Sequence, residues 1–168
     1  MPQPKEQKNR RVLHPIPPLY DANSRILILG SFPSVKSRES AFFYGHKQNR
    51  FWKMLAAVYG AETPASVPEK KALVLEQGLA LWDVIAMCEI AGSADASIRN
   101  AVPNDLRIIL DHSRIEKILL NGKTAERYYR QYNGSRIDVP AIQLPSTSPA
   151  NAAVGFDALL SAWRKELL

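Results

Sequence analysis

Four short apolar runs, each followed by loop-forming residues, constrain this chain more than any other feature. They are Arg25-Ile26-Leu27-Ile28-Leu29, Leu79 to Ile85, Ile115 to Leu120 and Val139 to Leu144. Runs this short and this apolar suit strands buried on both faces. Between them the periodicity turns helical: Phe51, Trp52, Leu55, Val58 and Tyr59 mark one face of a helix that opens near Asn49 and stops at Gly60. Further helices are expected over Pro68 to Gln77, from Asn104 or Asp105 to about His112, around Ala125, Tyr128 and Tyr129, and over Phe156 to Leu168. Strands alternating with helices predict an α/β fold, a three-layer α/β/α sandwich with a central four-stranded, mainly parallel sheet. Pro140 suggests an edge or an irregular start for the fourth strand, and the small, polar stretch from Cys88 to Asn104 reads as a loop.

At 168 residues and 46% hydrophobic, the chain is long and apolar enough for a single core, so one domain is expected over 17–168. Residues 1–16 read as a flexible basic tail, with Lys5, Lys8, Arg10 and Arg11 against Glu6, running into the extended segment His14-Pro15-Ile16-Pro17-Pro18. A net charge of +6 favours a polyanionic partner, though a merely soluble basic protein fits as well. Cys88 is the single cysteine, which excludes a disulfide framework, an iron–sulfur cluster and a cysteine zinc site. His14, His46 and His112 lack ligand spacing, so neither a metal nor a cofactor is expected. No apolar run reaches the roughly 18 residues of a membrane span, and a cytosolic monomer is the expectation.

Parallel sheets gather ligands at the carboxyl ends of their strands. Here those ends carry Gly30 to Ser34, Asp83, Asn121-Gly122 and Pro145 to Asn151. The first leads into a loop that packing alone does not explain. It holds Phe42, Phe43, Tyr44, His46 and Asn49 beside the cations Lys36, Arg38, Lys47 and Arg50. Aromatic faces for bases, cations for phosphates and an amide with donor and acceptor capacity are what a nucleic-acid base pocket needs. Competing motifs fail. Gly122-Lys123-Thr124 lacks the glycine of a phosphate-binding loop, where Lys117 stands, and neither a dinucleotide fingerprint nor a serine-hydrolase elbow is present.

The segments GSFPS after the first strand, YGHKQNRFW, LWDVI, the NG after the third strand and LPSTSPANA, in this order, resemble the uracil-DNA glycosylase superfamily. Within it they are most similar to the hypoxanthine-DNA (deoxyinosine) glycosylase branch, from about Pro17 to the C-terminus. The resemblance implies a monofunctional, cofactor-free hydrolase that excises hypoxanthine from deoxyinosine in DNA. Mismatch-specific uracil glycosylases carry a catalytic asparagine two residues after the opening glycine of the first motif, where this chain has Phe32. The branch resemblance implies that Asn49 takes over, that Tyr44 stacks on the extrahelical base, and that Ser146 to Asn151 push into the duplex with Ser148-Pro149 at the wedge.

The chemistry also follows from the residues. A base inside a duplex must be flipped out before its glycosidic bond can be reached. The departing base gains negative charge, for which backbone N–H groups around Gly30, Ser31 and Phe32, with His46, are candidate donors. Asn49 either orients water or contacts the base, or merely caps the helix it opens. Asn121 and Asp83 are either site residues or structural hydrogen-bonders. Ser34, Lys36, Ser37, Lys47, Arg50, Ser146, Thr147, Ser148, Pro149 and Asn151 are the expected DNA contacts. Lys36 and Lys47 fit phosphate contact better than a Schiff-base role. The alternatives are a uracil- or mismatch-specific glycosylase and a module that binds damaged bases without cleaving them.

Overall fold

The computed structural model describes residues 9–168. In chain order its elements are β1 (Arg10–Leu13), β2 (Ile26–Gly30), α1 (Val35–Ser40), α2 (Phe51–Tyr59), α3 (Val67–Glu76), β3 (Leu79–Asp83), β4 (Ile85–Ile90), β5 (Arg99–Pro103), α4 (Arg107–Leu110), β6 (Lys117–Asn121), α5 (Lys123–Asn133), β7 (Ala141–Leu144) and α6 (Phe156–Leu167). Single 3-10 turns cover Asp95–Ser97 and Pro149–Asn151.

The main sheet has the order β3-β2-β6-β7, with every neighbouring pair parallel. Parallel neighbours cannot be joined by tight hairpins, and the intervening helices supply the crossovers. All five residues of β2 and of β3 are buried, as strands covered on both faces must be. The expected α/β/α sandwich with a four-stranded parallel sheet is therefore the architecture. Helix α2 buries Phe51, Trp52, Met54, Leu55 and Val58, and the Phe51 ring meets Trp163 of α6 edge-on at 6.2 Å. Truncating either fully buried aromatic to alanine removes about 3–5 kcal/mol, a large share of the ~5–15 kcal/mol that holds a domain folded.

Two expectations are corrected. The stretch from Cys88 to Asn104 is not a loop throughout: β4 runs to Ile90 and β5 returns over Arg99–Pro103, with register shifts between Ile85, Met87 and Glu89. Those irregularities break strict alternation, which hid the strands from a periodicity search. Nor does the tail persist to residue 16. Arg10–Leu13 pairs antiparallel with β4, and Ile16 is buried in the core. Strand addition draws on main-chain hydrogen bonds, so a short segment that opens on Arg10 and Arg11 and packs only Val12 against the core forms β1. Residues 1–8 of the expected tail, with Lys5, Glu6 and Lys8, lie outside the described residues. The second sheet is thus β1-β4-β5, entered where the chain leaves β3 through Val84.

Candidate active site

The last residues of β2, β3, β6 and β7 are Gly30, Asp83, Asn121 and Leu144, and the loops that follow them meet on one rim. The start of the first loop is fixed to the crossing between the sheets. Val84 N–H donates to Gly30 O at 2.8 Å and Ile85 N–H to Ser31 O at 3.1 Å. The Ser31 and Phe32 N–H groups make no backbone hydrogen bond among the described residues. Phe32 buries its ring, so its backbone rather than its side chain is what the rim offers. Ser31 Oγ donates to Asp95 at 3.2 Å, from the loop after β4 that folds over this end of the sheet.

Gly30 is glycine because there is no room for a side chain. A Cβ there would stand 2.4 Å from Asp83 Oδ1. Asp83 and His14 form a buried pair, Nε2 to Oδ2 2.7 Å, with side chains 6% and 3% exposed. Ile16 N–H donates to His14 Nδ1 at 3.2 Å, which puts the ring proton on Nε2, toward the carboxylate. Phe32, Phe43 and Trp82 surround the imidazole with ring centroids 6.0 to 6.4 Å away. Asn104 Nδ2 holds the Asp83 carbonyl at 2.9 Å. Sequence reasoning missed His14. It lies 69 residues from Asp83, and no spacing signal joins them.

The aromatic loop divides its work. Phe42 and Phe43 are core, and Phe43 O accepts from Trp52 Nε1 at 3.1 Å. Tyr44 is different. Its φ of 53° is a left-handed conformation rare for a bulky residue, and its ring stacks on Phe51 with centroids 4.0 Å apart. One ring face is thereby covered, so only the other remains for a base. Its hydroxyl is buried without a hydrogen-bond partner. Burial, then the Asp83 charge, raises the phenol pKa, with the nearby Asn121 amide pulling the other way.

Several expected DNA contacts are structural in this state. Ser37 is buried; its Oγ accepts from Gly45 N–H at 2.9 Å and from Ser34 Oγ at 3.1 Å, which removes it from any DNA surface. Ser34 caps α1 through the Ser37 N–H. The Arg50 guanidinium donates to the carbonyls of Val154 and Asn151, and Arg50 N–H donates to Thr147 O at 3.1 Å. It straps α2 to the fourth loop instead of facing outward. Asn49, one residue ahead of the Arg50 N-cap of α2, accepts at Oδ1 from Phe51 N–H at 3.0 Å, an Asx turn leading into the helix. His46 Nδ1 accepts from Gln48 N–H at 3.1 Å. Lys36 and Lys47 are exposed, Lys36 paired with Glu39 at 3.5 Å.

Asn121 joins the third loop to the fourth. Its Oδ1 accepts from Thr147 N–H at 3.0 Å and its Nδ2 donates to Thr147 Oγ1 at 3.1 Å, and Thr147 is fully buried. Gly122, with φ of 99°, lets Ser146 approach to 3.0 Å from where its Cβ would be. Within the fourth loop, Ser146 Oγ accepts from Ser148 N–H, Ser148 Oγ from Ala150 N–H, and Asn151 Nδ2 donates to Ser146 O. Pro149 opens the 3-10 turn. The loop is thus internally bonded, with Ser146, Ser148, Pro149 and Asn151 half-buried on its surface. A hollow of about 460 Å³ lined by Asp21, Arg25, Glu76, Gly78 and Arg114 lies at the opposite, amino-terminal end of the strands, away from these groups.

Comparison with known proteins places this rim in a family. The profile of the uracil DNA glycosylase superfamily matches residues 17–167. A hypoxanthine DNA glycosylase of Methanosarcina acetivorans is 32% identical over 137 residues, covering 80% of this chain and 85% of that protein. One of Methanosarcina barkeri is 32% identical over 114 residues, 67% of this chain and 72% of its own length. A solution structure of a candidate uracil DNA glycosylase from Methanosarcina acetivorans superposes with a TM-score of 0.78 at 26% identity, covering 96% of each chain. With a parallel sheet of this order, loops converging at its carboxyl ends, and a profile spanning nearly all of the described residues, the chain belongs to the uracil DNA glycosylase superfamily.

Proposed function

We propose that this protein is a monofunctional DNA glycosylase that flips deoxyinosine from DNA and hydrolyses its N-glycosidic bond to release hypoxanthine. The observation that carries this reading is the bonded succession Asn121, Thr147, Arg50, with Asn49 next in the chain and Tyr44 stacked beneath on Phe51. It holds an amide, an aromatic face and the fourth loop on one rim. The names of the two Methanosarcina relatives favour hypoxanthine as the base.

The turn bond at Asn49 and a catalytic role are compatible. The Phe51 N–H occupies one lone pair of Oδ1 and fixes the plane of the amide. The second lone pair is then aimed to hold an attacking water, and Nδ2 keeps its donors. In the reaction the bond from C1′ to the purine nitrogen breaks with its electron pair going to the base. The Ser31 and Phe32 N–H groups, with Gly30 at their side and His46 on the facing loop, stabilise that charge. The water oxygen bonds to C1′ and releases a proton to solvent. Stacking on the open face of Tyr44 returns about 1–3 kcal/mol of the flipping cost, and Asn121 contacts the base or holds the wall of its pocket through Thr147.

Lys36 and Lys47 meet phosphates. Both are exposed, so neither has the desolvation that would make an amine nucleophilic. The surface of the fourth loop, Ser146 to Asn151, lies against the duplex. The test is a pair of end-labelled duplexes carrying one deoxyinosine or one deoxyuridine, incubated with the protein and resolved with and without alkali. Alkali-dependent cleavage at inosine is expected. Preference for uridine would assign a uracil glycosylase, and retained complex without base release would assign a lesion-binding module.

A further inference from the structure

Lys36 and Lys47 lie on the chain between β2 and α2. The crossovers from β2 to β3 and from β6 to β7 run in opposite directions across the sheet, so right-handed connections set α2 and α5 on opposite faces. The α5 side of the rim carries cations of its own. Lys123 is the first residue of α5, directly after the Asn121-Gly122 end of β6, and Arg127 follows one turn later on the same helix face. Both are exposed, and neither makes an ion pair among the described residues. The helix dipole disfavours a cation at this end, so Lys123 adds nothing to the stability of α5. The Arg127 guanidinium stands over the Tyr128 ring, 4.9 Å from its centroid, which restricts its swing.

The loop of residues 91–98, between β4 and β5, ties this helix end and the second sheet to the rim. Asp95 accepts from Ser31 Oγ at 3.2 Å and lies beside Thr124 of α5, with the Arg127 charge acting on its carboxylate. Ser93 Oγ accepts from Val35 N–H at 2.9 Å, and Ser97 O accepts from Asn9 Nδ2 at 2.9 Å, just ahead of β1. On the second sheet Arg11 and Arg99 stand on either side of Glu89 in the strand register. Neither pairs with it: Arg11 Nε donates to Met87 Sδ at 3.1 Å, and Arg99 donates to the carbonyls of Ala96 and Ile98. At the amino ends of the strands, by contrast, Arg25 pairs with Glu116 at 3.3 Å and Lys117 with Glu166 at 3.5 Å. Four exposed cations against the carboxylates of Glu89 and Asp95 leave this flank net positive, and they repel one another unless a polyanion lies across them. We propose that Lys123, Arg127, Arg99 and Arg11 form a second phosphate-binding face, on which duplex DNA flanking the flipped nucleotide rests on the α5 side of the rim. The choice of DNA as partner rests on the glycosylase reading above. With Lys36 and Lys47 on the α2 side, the duplex is held from both faces of the sheet, and the base enters between them.

The test is a set of fluorescence-anisotropy titrations, over a range of salt concentrations, of an undamaged duplex and of one carrying a single deoxyinosine. The proteins are the wild type, Lys123→Gln with Arg127→Gln, Arg11→Gln with Arg99→Gln, and Arg114→Gln, which removes an exposed charge at the amino-terminal hollow. Each double variant should reduce the slope of log K against log salt by about two and weaken binding of both duplexes roughly tenfold or more at about 0.1 M salt. Arg114→Gln should leave both quantities near the wild-type values. The charge-keeping pair Lys123→Arg with Arg127→Lys should restore the slope, which shows that charge and not folding is being read. A wild-type slope in either double variant, or an equal fall in Arg114→Gln, overturns the proposal. Hypoxanthine release by the wild type with unaltered slopes in the double variants defeats this face and leaves the glycosylase reading standing. Absence of base release from every duplex, with the slopes lowered as expected, defeats that reading and leaves the DNA face.

Discussion

Replacing Asn49 in two ways separates its structural bond from its proposed chemistry. The side chain makes one hydrogen bond among the described residues, Oδ1 to Phe51 N–H at 3.0 Å. Alanine removes that bond at a cost of about 1 kcal/mol, which for a chain of this size lowers Tm by roughly 2–4 °C. Serine supplies a capping oxygen of its own, so Asn49→Ser should melt within about 1 °C of the wild type. What serine lacks is the amide, whose fixed carbonyl and donors are proposed to act on water and base. Both variants should therefore lose hypoxanthine release by about 10²–10³-fold, the range seen when one preorganised donor is removed from a catalytic site. Single-turnover cleavage of an inosine duplex, beside a thermal melt followed by circular dichroism, reads the two effects independently. If Asn49→Ser melted normally and cleaved at the wild-type rate, Asn49 would be a cap and nothing more.

Binding to DNA should weaken steeply with salt, and Lys36→Ala or Lys47→Ala should each reduce the slope of log K against log salt by about one phosphate's worth; unchanged slopes would move the DNA footprint elsewhere. Ser37→Ala should destabilise the fold by about 1–3 kcal/mol, since the Gly45 N–H loses its acceptor, and leave the salt slope alone. A reduced slope with an unaltered melt would return Ser37 to the DNA surface. Arg50→Lys should impair cleavage nearly as much as Arg50→Ala, because one ammonium cannot replace a planar fork that reaches two loop carbonyls. Full activity in the lysine variant would show that charge, and not the strap, is what matters.

The parallel sheet was legible because buried strands announce themselves: Ile26 to Leu29 and Leu79 to Trp82 are apolar at every position, and Gly30 and Asp83 end them. The rim followed from topology together with the composition of the loops at the strand ends. What stayed hidden depends on contacts between distant segments. β1 is a four-residue run, half of it arginine, whose pairing is made by main-chain groups, and β4 and β5 carry bulges that erase alternation. Arg50 and Ser37 look like DNA contacts in a loop of cations and hydroxyls, yet both turn inward to bind backbone. Asn49 and Asn121 were identified as polar groups at element ends. Only the tertiary fold tells a cap from a strap, as the two bonds from Asn121 to Thr147 illustrate.

Strain and satisfaction at this rim point the same way. Tyr44 is held at φ 53°, a conformation that costs about 1–3 kcal/mol and persists only where its surroundings enforce it. Here Phe51 grips one face of its ring, and the Gly45 amide that follows it is pinned by Ser37. The same few residues leave the Tyr44 hydroxyl buried without a partner, and Asp83 Oδ1 accepts no hydrogen bond among the described residues. A fold selected for stability alone would relax the loop and hydrogen-bond both groups. Keeping an aromatic face rigid in this way makes sense if, as proposed, a flipped base completes the arrangement. On this account the cost of the empty site is recovered when a flipped base enters, so saturating free hypoxanthine should raise Tm in a thermal melt, and an unchanged Tm would show that the strained loop is not the base site.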